Sequence, residues 1–176
     1  MMRDAGHPAL DWSSARLRVT SWRVEMESAQ LRASVGAALP SILTPAVLAH
    51  LPPSFAVTGD TDAWIDARMR ESAVHSVRDR ATGALLGLLI LAQADTSGPV
   101  ADLHLGYLLA EQAWGKGLAS ELLAGFVEAM KRQGCWRVLG GVARDNPASA
   151  RVLEKAGFRR DPALSTADAD IFARMV

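Results

Sequence analysis

The sequence predicts one α/β domain, a mixed sheet with helices on both faces. A chain of 176 residues with 49% hydrophobic and 22% charged residues is typical of a single globular domain. Strand-like segments at 101–109 and 135–143 flank an amphipathic helix, which predicts a parallel pair within the sheet. We expect a loose N-terminal segment, 1–14, followed by the domain, 15–176.

The N-terminal half is predicted to contain one strand and three helices. Apolar residues alternate with polar ones over 15–25, which predicts the strand. Capping residues and helical spacing then predict helices at 28–39, 44–51 and 60–72. The first of these is expected to stop at Pro40, because proline lacks the N–H that a helix interior uses.

The C-terminal half is predicted to supply most of the sheet. Two strands flank a turn at 80–83 and form a hairpin, and three more strands follow. A helix over 118–133 carries one apolar stripe, and a helix over 146–158 has Asn146 as N-cap and Pro147 at its first position. The predicted strands are 73–79, 84–93, 101–109, 135–143 and 170–176.

Composition argues against several function classes. Lys plus Arg equals Asp plus Glu, at 19 each, so the chain lacks the basic excess of a nucleic-acid-binding protein. One cysteine and four dispersed histidines predict neither a disulfide framework nor a metal site. No apolar run is long enough to span a membrane, and the N-terminus lacks a signal-peptide core, so we expect a cytoplasmic protein. We expect it to be a monomer or a homodimer.

A glycine-rich segment, Gln112-Ala113-Trp114-Gly115-Lys116-Gly117, joins strand 101–109 to the next helix. It could be a plain turn, or a loop whose bare N–H groups bind an anion at the helix N-terminus. The spacing of a P-loop is absent. A dinucleotide fingerprint is nearly matched, with Ser120 as its third small residue, but no acidic residue ends the following strand.

The same segment, Gln-x-x-Gly-x-Gly, is followed by "NPASARVLEKAGF" at 146–158, with an Asn, a small residue three later and a Lys-x-Gly-Phe ending. Together these motifs resemble the GNAT superfamily of acyl-CoA-dependent N-acetyltransferases. "LGYLLAEQAWGKGLASELL" is similar in particular to the branch that acetylates protein N-termini, including those of ribosomal proteins. The resemblance is specific over about residues 101–158.

The resemblance implies a GNAT-like fold, with a mostly antiparallel sheet whose central parallel pair splays into a V. It also implies transfer of an acetyl group from acetyl-CoA, without a metal, to an amine such as a protein or peptide N-terminus. A small amine (an antibiotic, polyamine or amino acid) is the alternative acceptor. A coenzyme A-binding module without turnover, or a nucleotide-binding protein, is the alternative class.

The resemblance also assigns residues to the acetyl donor. Backbone groups of the strand end would bind the pantetheine arm, one N–H polarising the thioester carbonyl, and Asn146 would bind the arm from the other side of the V. The glycine loop and first helical turn would bind the pyrophosphate. The residues assigned to the donor are Leu108, Leu109, Ala110, Gln112, Gly115, Lys116, Gly117, Leu118, Ala119, Asn146 and Ser149.

The residues that act as general acid and general base are predicted less directly than those that bind acetyl-CoA. His104 stands where related sequences commonly have a glutamate, two before the glycine of Gly-Tyr, and imidazole accepts protons near neutral pH. Glu111 and Asp102 are the alternative bases. Leu153 stands where many relatives have a tyrosine acid, so Ser149 is the predicted donor to the departing sulfur. The helices of 28–72 and the loop 161–170 are expected to line the acceptor side.

Overall fold

An eight-stranded sheet forms the centre of the protein in the computed structural model, which describes residues 10–94 and 98–176. The strand order is β1-β2-β3-β4-β5-β6-β8-β7, and only β5 and β6 pair in parallel. The predicted mixed sheet with one parallel pair is therefore confirmed. The strands are β1 (Trp12–Ser13), β2 (Leu17–Ser21), β3 (Ala73–Asp79), β4 (Leu85–Gln93), β5 (Ala101–Leu109), β6 (Trp136–Ala143), β7 (Arg159–Asp161) and β8 (Ala169–Met175).

Helices cover both faces of the sheet, and each face has its own buried cluster. One cluster joins the first four helices to β3, β4 and β5, and the other joins the last two helices to the opposite face of the sheet. Alternation of side chains along each strand separates the two clusters. The helices are α1 (Trp22–Glu25), α2 (Ala29–Ile42), α3 (Pro45–Leu48), α4 (Thr61–Glu71), α5 (Leu118–Met130) and α6 (Pro147–Lys155).

The strand predicted over 15–25 is shorter than expected. Strand β2 ends at Ser21, whose side chain accepts a hydrogen bond from the N–H of Arg23 and so begins α1. Trp22 is fully buried, and its indole N–H donates to Ser76 Oγ at 2.9 Å. This contact between residues far apart in the sequence requires Trp22 to be buried. The strand therefore ends and a helix begins, although apolar and polar residues continue to alternate beyond Ser21.

The prediction that Pro40 stops α2 is wrong. The helix continues to Ile42, and the N–H of Leu43 still donates to the carbonyl of Leu39 at 2.8 Å. Leu39 and Ile42 are buried in the cluster beneath α1–α4. Burial of side chains on both sides of the proline offsets the one missing backbone hydrogen bond.

Residues 10–14, within the segment predicted to be loose, instead pack on the domain, whereas residues 1–9 lie outside the described residues. Leu10 is 2% exposed, and β1 pairs with β2 through Trp12 and Ser13. The Trp12 ring lies against Phe126 of α5, with 6.4 Å between ring centroids. The two-residue β1 and three-residue β7 are too short for sequence periodicity to reveal.

Residues 10–94 and 98–176, which the structure describes, contain neither a membrane-spanning helix nor a cluster of metal ligands. None of the helices there combines the length and the apolar composition that crossing a bilayer requires. In the same described ranges, no group of three or more His, Cys, Asp or Glu side chains could hold a metal ion.

Candidate functional site

The loop between β5 and α5 has the conformation that its glycines were expected to allow. A short 3₁₀ turn, Glu111–Ala113, follows the strand and leaves Gln112 exposed. Gly115 and Gly117 then adopt φ angles of +70° and +75°, in the left-handed region that side chains with a Cβ disfavour. Gly117 is the N-cap of α5, so no side chain occupies the helix N-terminus as a cap.

The first turn of α5 presents unpartnered N–H groups. The N–H of Glu121 donates to the carbonyl of Gly117, but within the described ranges nothing accepts from the three N–H groups before it. These amides lie at the positive end of the helix dipole, beside the exposed Lys116. The loop therefore has the geometry of an anion site. The three unpartnered amides belong to Leu118, Ala119 and Ser120.

A second cation, which the sequence pattern did not indicate, lies at this loop. Arg16, in the turn before β2, donates from Nη1 to the carbonyl of Lys116 at 2.9 Å and from Nε to Glu121 at 2.7 Å. Burial raises the pKa of the Glu121 carboxyl, but hydrogen bonds from Ser14 and Arg16 outweigh that effect and lower it. No local signal could reveal Arg16, because it is 100 residues from Lys116.

The parallel pair separates to form a cleft. Residue pairing between β5 and β6 runs from Ala101↔Trp136 to Leu105↔Gly140 and then stops. Beyond that point β5 continues to Leu109 beside β4, and β6 continues to Ala143 beside β8. The two strands therefore diverge toward their C-terminal ends, as the predicted V requires.

The backbone groups that face this cleft differ from the predicted set. The N–H of Ala110 donates to the carbonyl of Leu86 at 2.8 Å, so it points toward β4 and is already bonded. Because alternate residues of an antiparallel strand bond to the same side, Leu108 also faces β4. Tyr107 and Leu109 present their backbone groups to the cleft instead, and the Leu109 carbonyl accepts from the Trp114 indole at 2.8 Å.

Asn146 and Ser149 lie on the other arm of the cleft, at the start of α6. Asn146 is the N-cap, and its Oδ1 accepts from the N–H of Ser149 at 3.2 Å. Its Nδ2 also donates to Ser149 Oγ at 3.1 Å. The capping role expected of Asn146 therefore coexists with one unbonded amide hydrogen and a fixed Ser149 hydroxyl.

The three candidate bases have different surroundings. His104 is exposed, on the strand face opposite Leu103 and Leu105, and so points toward the α1–α4 side. Asp102 lies in a two-bond ion pair with Arg137, at 2.6 Å each, and this arginine lowers its pKa. Glu111 accepts a short hydrogen bond from Thr44 Oγ1.

Segment 44–50, which contains α3, spans the open end of the V. At one end Thr44 contacts Glu111, which follows β5. At the other end His50 Nδ1 lies 3.4 Å from Asp145 Oδ1, just after β6. Part of the range 28–72, which we expect to line the acceptor side, thus contacts both arms of the cleft.

The loop 161–170 is largely engaged in its own contacts. Asp161 Oδ1 accepts from the N–H groups of Ala163 and Leu164, and Asp170 pairs with Arg160 at 2.8 Å. These two carboxylates are therefore not free to attract an amine.

Comparisons with known proteins agree with this geometry. The sequence profile of the acetyltransferase (GNAT) domain family matches residues 16–159. A search of curated protein sequences gave no significant match. Among solved structures, a GNAT-family acetyltransferase from Bacillus anthracis superposes with a TM-score of 0.69 at 17% identity, covering 95% of this chain and 98% of that one.

Two further solved structures hold coenzyme A or its acetyl form. Spermidine N-acetyltransferase from Vibrio cholerae, in complex with CoA and spermine, has a TM-score of 0.67 at 13% identity, covering 93% of this chain and 96% of its own. AAC(6')-Ib, in complex with Parmomycin and acetyl-CoA, has a TM-score of 0.64 at 16% identity, with coverages of 81% and 87%. With its cleft, its glycine loop and a profile match over most of its length, the chain belongs to the acetyltransferase (GNAT) domain family and is an acetyl-CoA-dependent N-acetyltransferase.

Proposed function

We propose that the acceptor is a primary amine at the N-terminus of a protein or peptide. The observation that carries the proposal is the V between β5 and β6, whose open end has the unpartnered amides of α5 beside it and segment 44–50 across it. A thioester held along the V would point its acetyl group toward the α1–α4 face. The amine would approach from that face.

The residues present fit acetyl-CoA. The amides of Leu118, Ala119 and Ser120 would hold its pyrophosphate, with Lys116 and Arg16 supplying positive charge beside them. A Cβ at Gly115 would meet nothing within 4 Å, so no described part of the chain covers the loop at that point.

The rest of the donor would lie along the V. The pantetheine arm would pair with the N–H of Leu109 on one side and with the free amide hydrogen of Asn146 on the other. These contacts extend the backbone pairing that β5 loses beyond Leu105.

His104 is our candidate base. A neutral amine must attack the thioester carbonyl, so its ammonium form has to lose a proton before or during the attack. His104 is exposed on the acceptor face, one residue before pairing with β6 ends. Asp102 is the weaker candidate, because its ion pair with Arg137 favours the carboxylate without leaving its oxygens free.

The charge around the acceptor entrance favours a cationic amine on a flexible chain. Carboxylates stand at both ends of segment 44–50, Glu111 at one end and Asp145 at the other. An extended peptide N-terminus could pass beneath this segment with its ammonium group leading. A small polyamine is the second candidate, since the same pair of carboxylates would attract it and a structural neighbour is a spermidine N-acetyltransferase.

A thiol-release assay with acetyl-CoA tests the proposal. We expect turnover with peptides that have a free N-terminus and none with the same peptides blocked by an N-formyl group. Spermidine and an aminoglycoside serve as the competing acceptors. Faster turnover of either small amine than of every free peptide would overturn the peptide assignment.

A further inference from the structure

The glycine loop before α5 contains a peptide unit that can turn in either direction. Gly115 and Gly117 stand on either side of Lys116, and both glycines have positive φ angles. Glycine adopts positive and negative φ about equally well, so rotation of the peptide between Lys116 and Gly117 costs little backbone energy. In a trans peptide the carbonyl and the N–H point in opposite directions. One orientation therefore presents an N–H to a bound anion, whereas the other presents a carbonyl oxygen, which repels it.

Arg16 holds this peptide in one orientation. Its Nη1 donates to the carbonyl oxygen of Lys116 at 2.9 Å, and its Nη2 lies 3.7 Å from where a Cβ on Gly117 would be. Because the carbonyl points toward the guanidinium, the N–H of Gly117 points away from it. Within residues 10–94 and 98–176 this N–H makes no backbone hydrogen bond. It is therefore available to a ligand together with the amides of the first helical turn.

Glu121, in the first turn of α5, holds Arg16 in its place. Its Oε2 accepts from Arg16 Nε at 2.7 Å, and its Oε1 accepts from the N–H of Arg16 at 2.8 Å. Ser14 Oγ donates to the same Oε1 at 2.6 Å, and the N–H of Arg80 donates to the carbonyl of Arg16 at 2.8 Å. Arg16 is thus fixed by its side chain and by both of its backbone groups.

We propose that Arg16 is a positioning residue for coenzyme A, which turns the N–H of Gly117 toward the pyrophosphate, and that Glu121 anchors Arg16 there. The inference rests on the proposed site of the pyrophosphate and does not depend on the acceptor. Backbone amides contact the pyrophosphate, and the Arg16–Glu121 pair supports them from behind. Glu121 is then an acidic residue that strengthens the binding of an anion, the opposite of what its charge alone predicts.

Glu121→Gln is a test in which charge and positioning predict changes of opposite sign. The substitution keeps the size of the side chain and removes one negative charge beside the loop. Charge alone predicts tighter binding of coenzyme A, because repulsion is removed. Loss of the anchor predicts weaker binding, because the amide replaces one acceptor oxygen by a donor NH2 group. We expect the affinity in isothermal titration to fall about tenfold. An unchanged or higher affinity would overturn the proposal.

Arg16→Lys separates positioning from the supply of positive charge. Lysine keeps the charge, but its ammonium group lacks the planar fork that joins the Lys116 carbonyl to Glu121. We again expect about tenfold weaker binding of coenzyme A. The double variant with Glu121→Gln should bind about as well as the weaker single variant, because both substitutions break the same arrangement. Wild-type affinity in Arg16→Lys would show that charge is sufficient, against the proposal.

Glu128→Gln is the matched control. Glu128 lies about two turns further along α5 and also makes an ion pair, with Lys131. Its substitution should leave the affinity for coenzyme A unchanged, and thermal unfolding shows that each variant is folded at the temperature of the titration. A loss as large as that of Glu121→Gln would mean that any change of charge on α5 is enough, and the anchor role would fail.

A truncated donor separates positioning of the pyrophosphate from general damage to the site. S-acetylpantetheine has the thioester and the arm of acetyl-CoA but no pyrophosphate. In the thiol-release assay, Arg16→Lys and Glu121→Gln should each lower kcat/KM for acetyl-CoA about tenfold and leave kcat/KM for S-acetylpantetheine unchanged. Equal losses with the two donors would contradict a role in positioning the pyrophosphate.

Failure of this inference is distinguishable from failure of the proposed function. If Gly117→Val weakened the binding of coenzyme A but Arg16→Lys and Glu121→Gln did not, the loop would bind the pyrophosphate without the Arg16–Glu121 pair, and only the inference would be wrong. If the wild type bound coenzyme A but acetylated no peptide, the proposed acceptor would be wrong. The titrations would then decide the role of Arg16, since they require no acceptor.

Discussion

The two faces of the sheet assemble their halves of the cleft by different means. On the α5–α6 face, the groups assigned to acetyl-CoA come mainly from one stretch, 109–149, in two consecutive strand–helix units. On the α1–α4 face, the proposed acceptor entrance joins residues as far apart as Thr44 and Glu111, or His50 and Asp145. The donor half is specified by local backbone geometry, and the acceptor half by long-range contacts.

The difference has a functional consequence. A pyrophosphate can be bound by N–H groups that every residue has, so the donor half needs glycines and a helix start rather than particular side chains. An acceptor has to be recognised by its own shape and charge, which needs side chains from several elements. The two halves should therefore respond to different kinds of substitution.

The largest expected effect comes from Gly117→Val. The φ of +75° at this position disfavours a β-branched residue, so the loop should shift and withdraw its amides. We expect affinity for acetyl-CoA to fall by more than about a hundredfold, because charge-assisted hydrogen bonds to phosphate are lost together. Isothermal titration with coenzyme A measures this change.

Gly83→Val is the matched control. Gly83 has the same φ of +75° in the β3–β4 turn, and a Cβ there would meet nothing within 4 Å, whereas one at Gly117 would make an ordinary contact with Arg16 Nη2 at 3.7 Å. The Gly83→Val variant should lose about as much folding stability as Gly117→Val, but it should keep its affinity for coenzyme A. Equal losses of affinity in both variants would show that strain alone, and not the loop amides, explains the effect.

The same contrast explains how much was predictable from the sequence. Gly117, Pro147 and Asn146 mark element ends by local chemistry, and the corresponding helix starts fall where those residues predict. Strands β3 and β5 match their predicted bounds, because turn or loop residues flank both segments.

Features that depend on tertiary contacts were not predictable. The burial of Trp22 against Ser76 converts part of a predicted strand into α1, and packing carries α2 past Pro40. The choice between Leu108 and Leu109 as cleft-facing residue depends on which side of β5 bonds to β4, and alternation alone does not decide this. Arg16 reaches its loop across 100 residues.

A second large effect, on folding stability, is expected from a buried histidine in the core of the donor half. His75 is buried on β3, and burial lowers its pKa from 6.5 to about 4. The unfolded chain therefore binds a proton that the folded chain does not, and stability should fall as the pH drops from about 6.5 to about 4. The difference corresponds to about 3 kcal/mol.

Urea unfolding at a series of pH values measures this effect. His75→Leu should remove most of the dependence in that range, although it also leaves the N–H of Leu10 without its acceptor, Nε2 of His75. If the free energy of unfolding depended on pH as steeply in the variant as in the wild type, the acid sensitivity would arise from another group. Water would then reach His75 more readily than its burial indicates.

On the acceptor face, His104→Ala should lower kcat about a hundredfold, the lower end for loss of a general base. The KM for acetyl-CoA should not change, because His104 points away from the α5–α6 side. A loss of less than about tenfold in kcat would favour Glu111 or a water relay as the base.

The smallest expected effect is at the His50–Asp145 contact, which is largely exposed and worth less than about 1 kcal/mol. His50→Ala frees Asp145 and releases one end of segment 44–50. The KM of a cationic acceptor should fall about twofold, and the KM of acetyl-CoA should stay constant. Lys131→Ala removes a comparable exposed pair with Glu128 on α5 and should alter neither constant. If His50→Ala changed the KM of acetyl-CoA instead, the two halves of the cleft would be coupled through segment 44–50, and the division between them would fail.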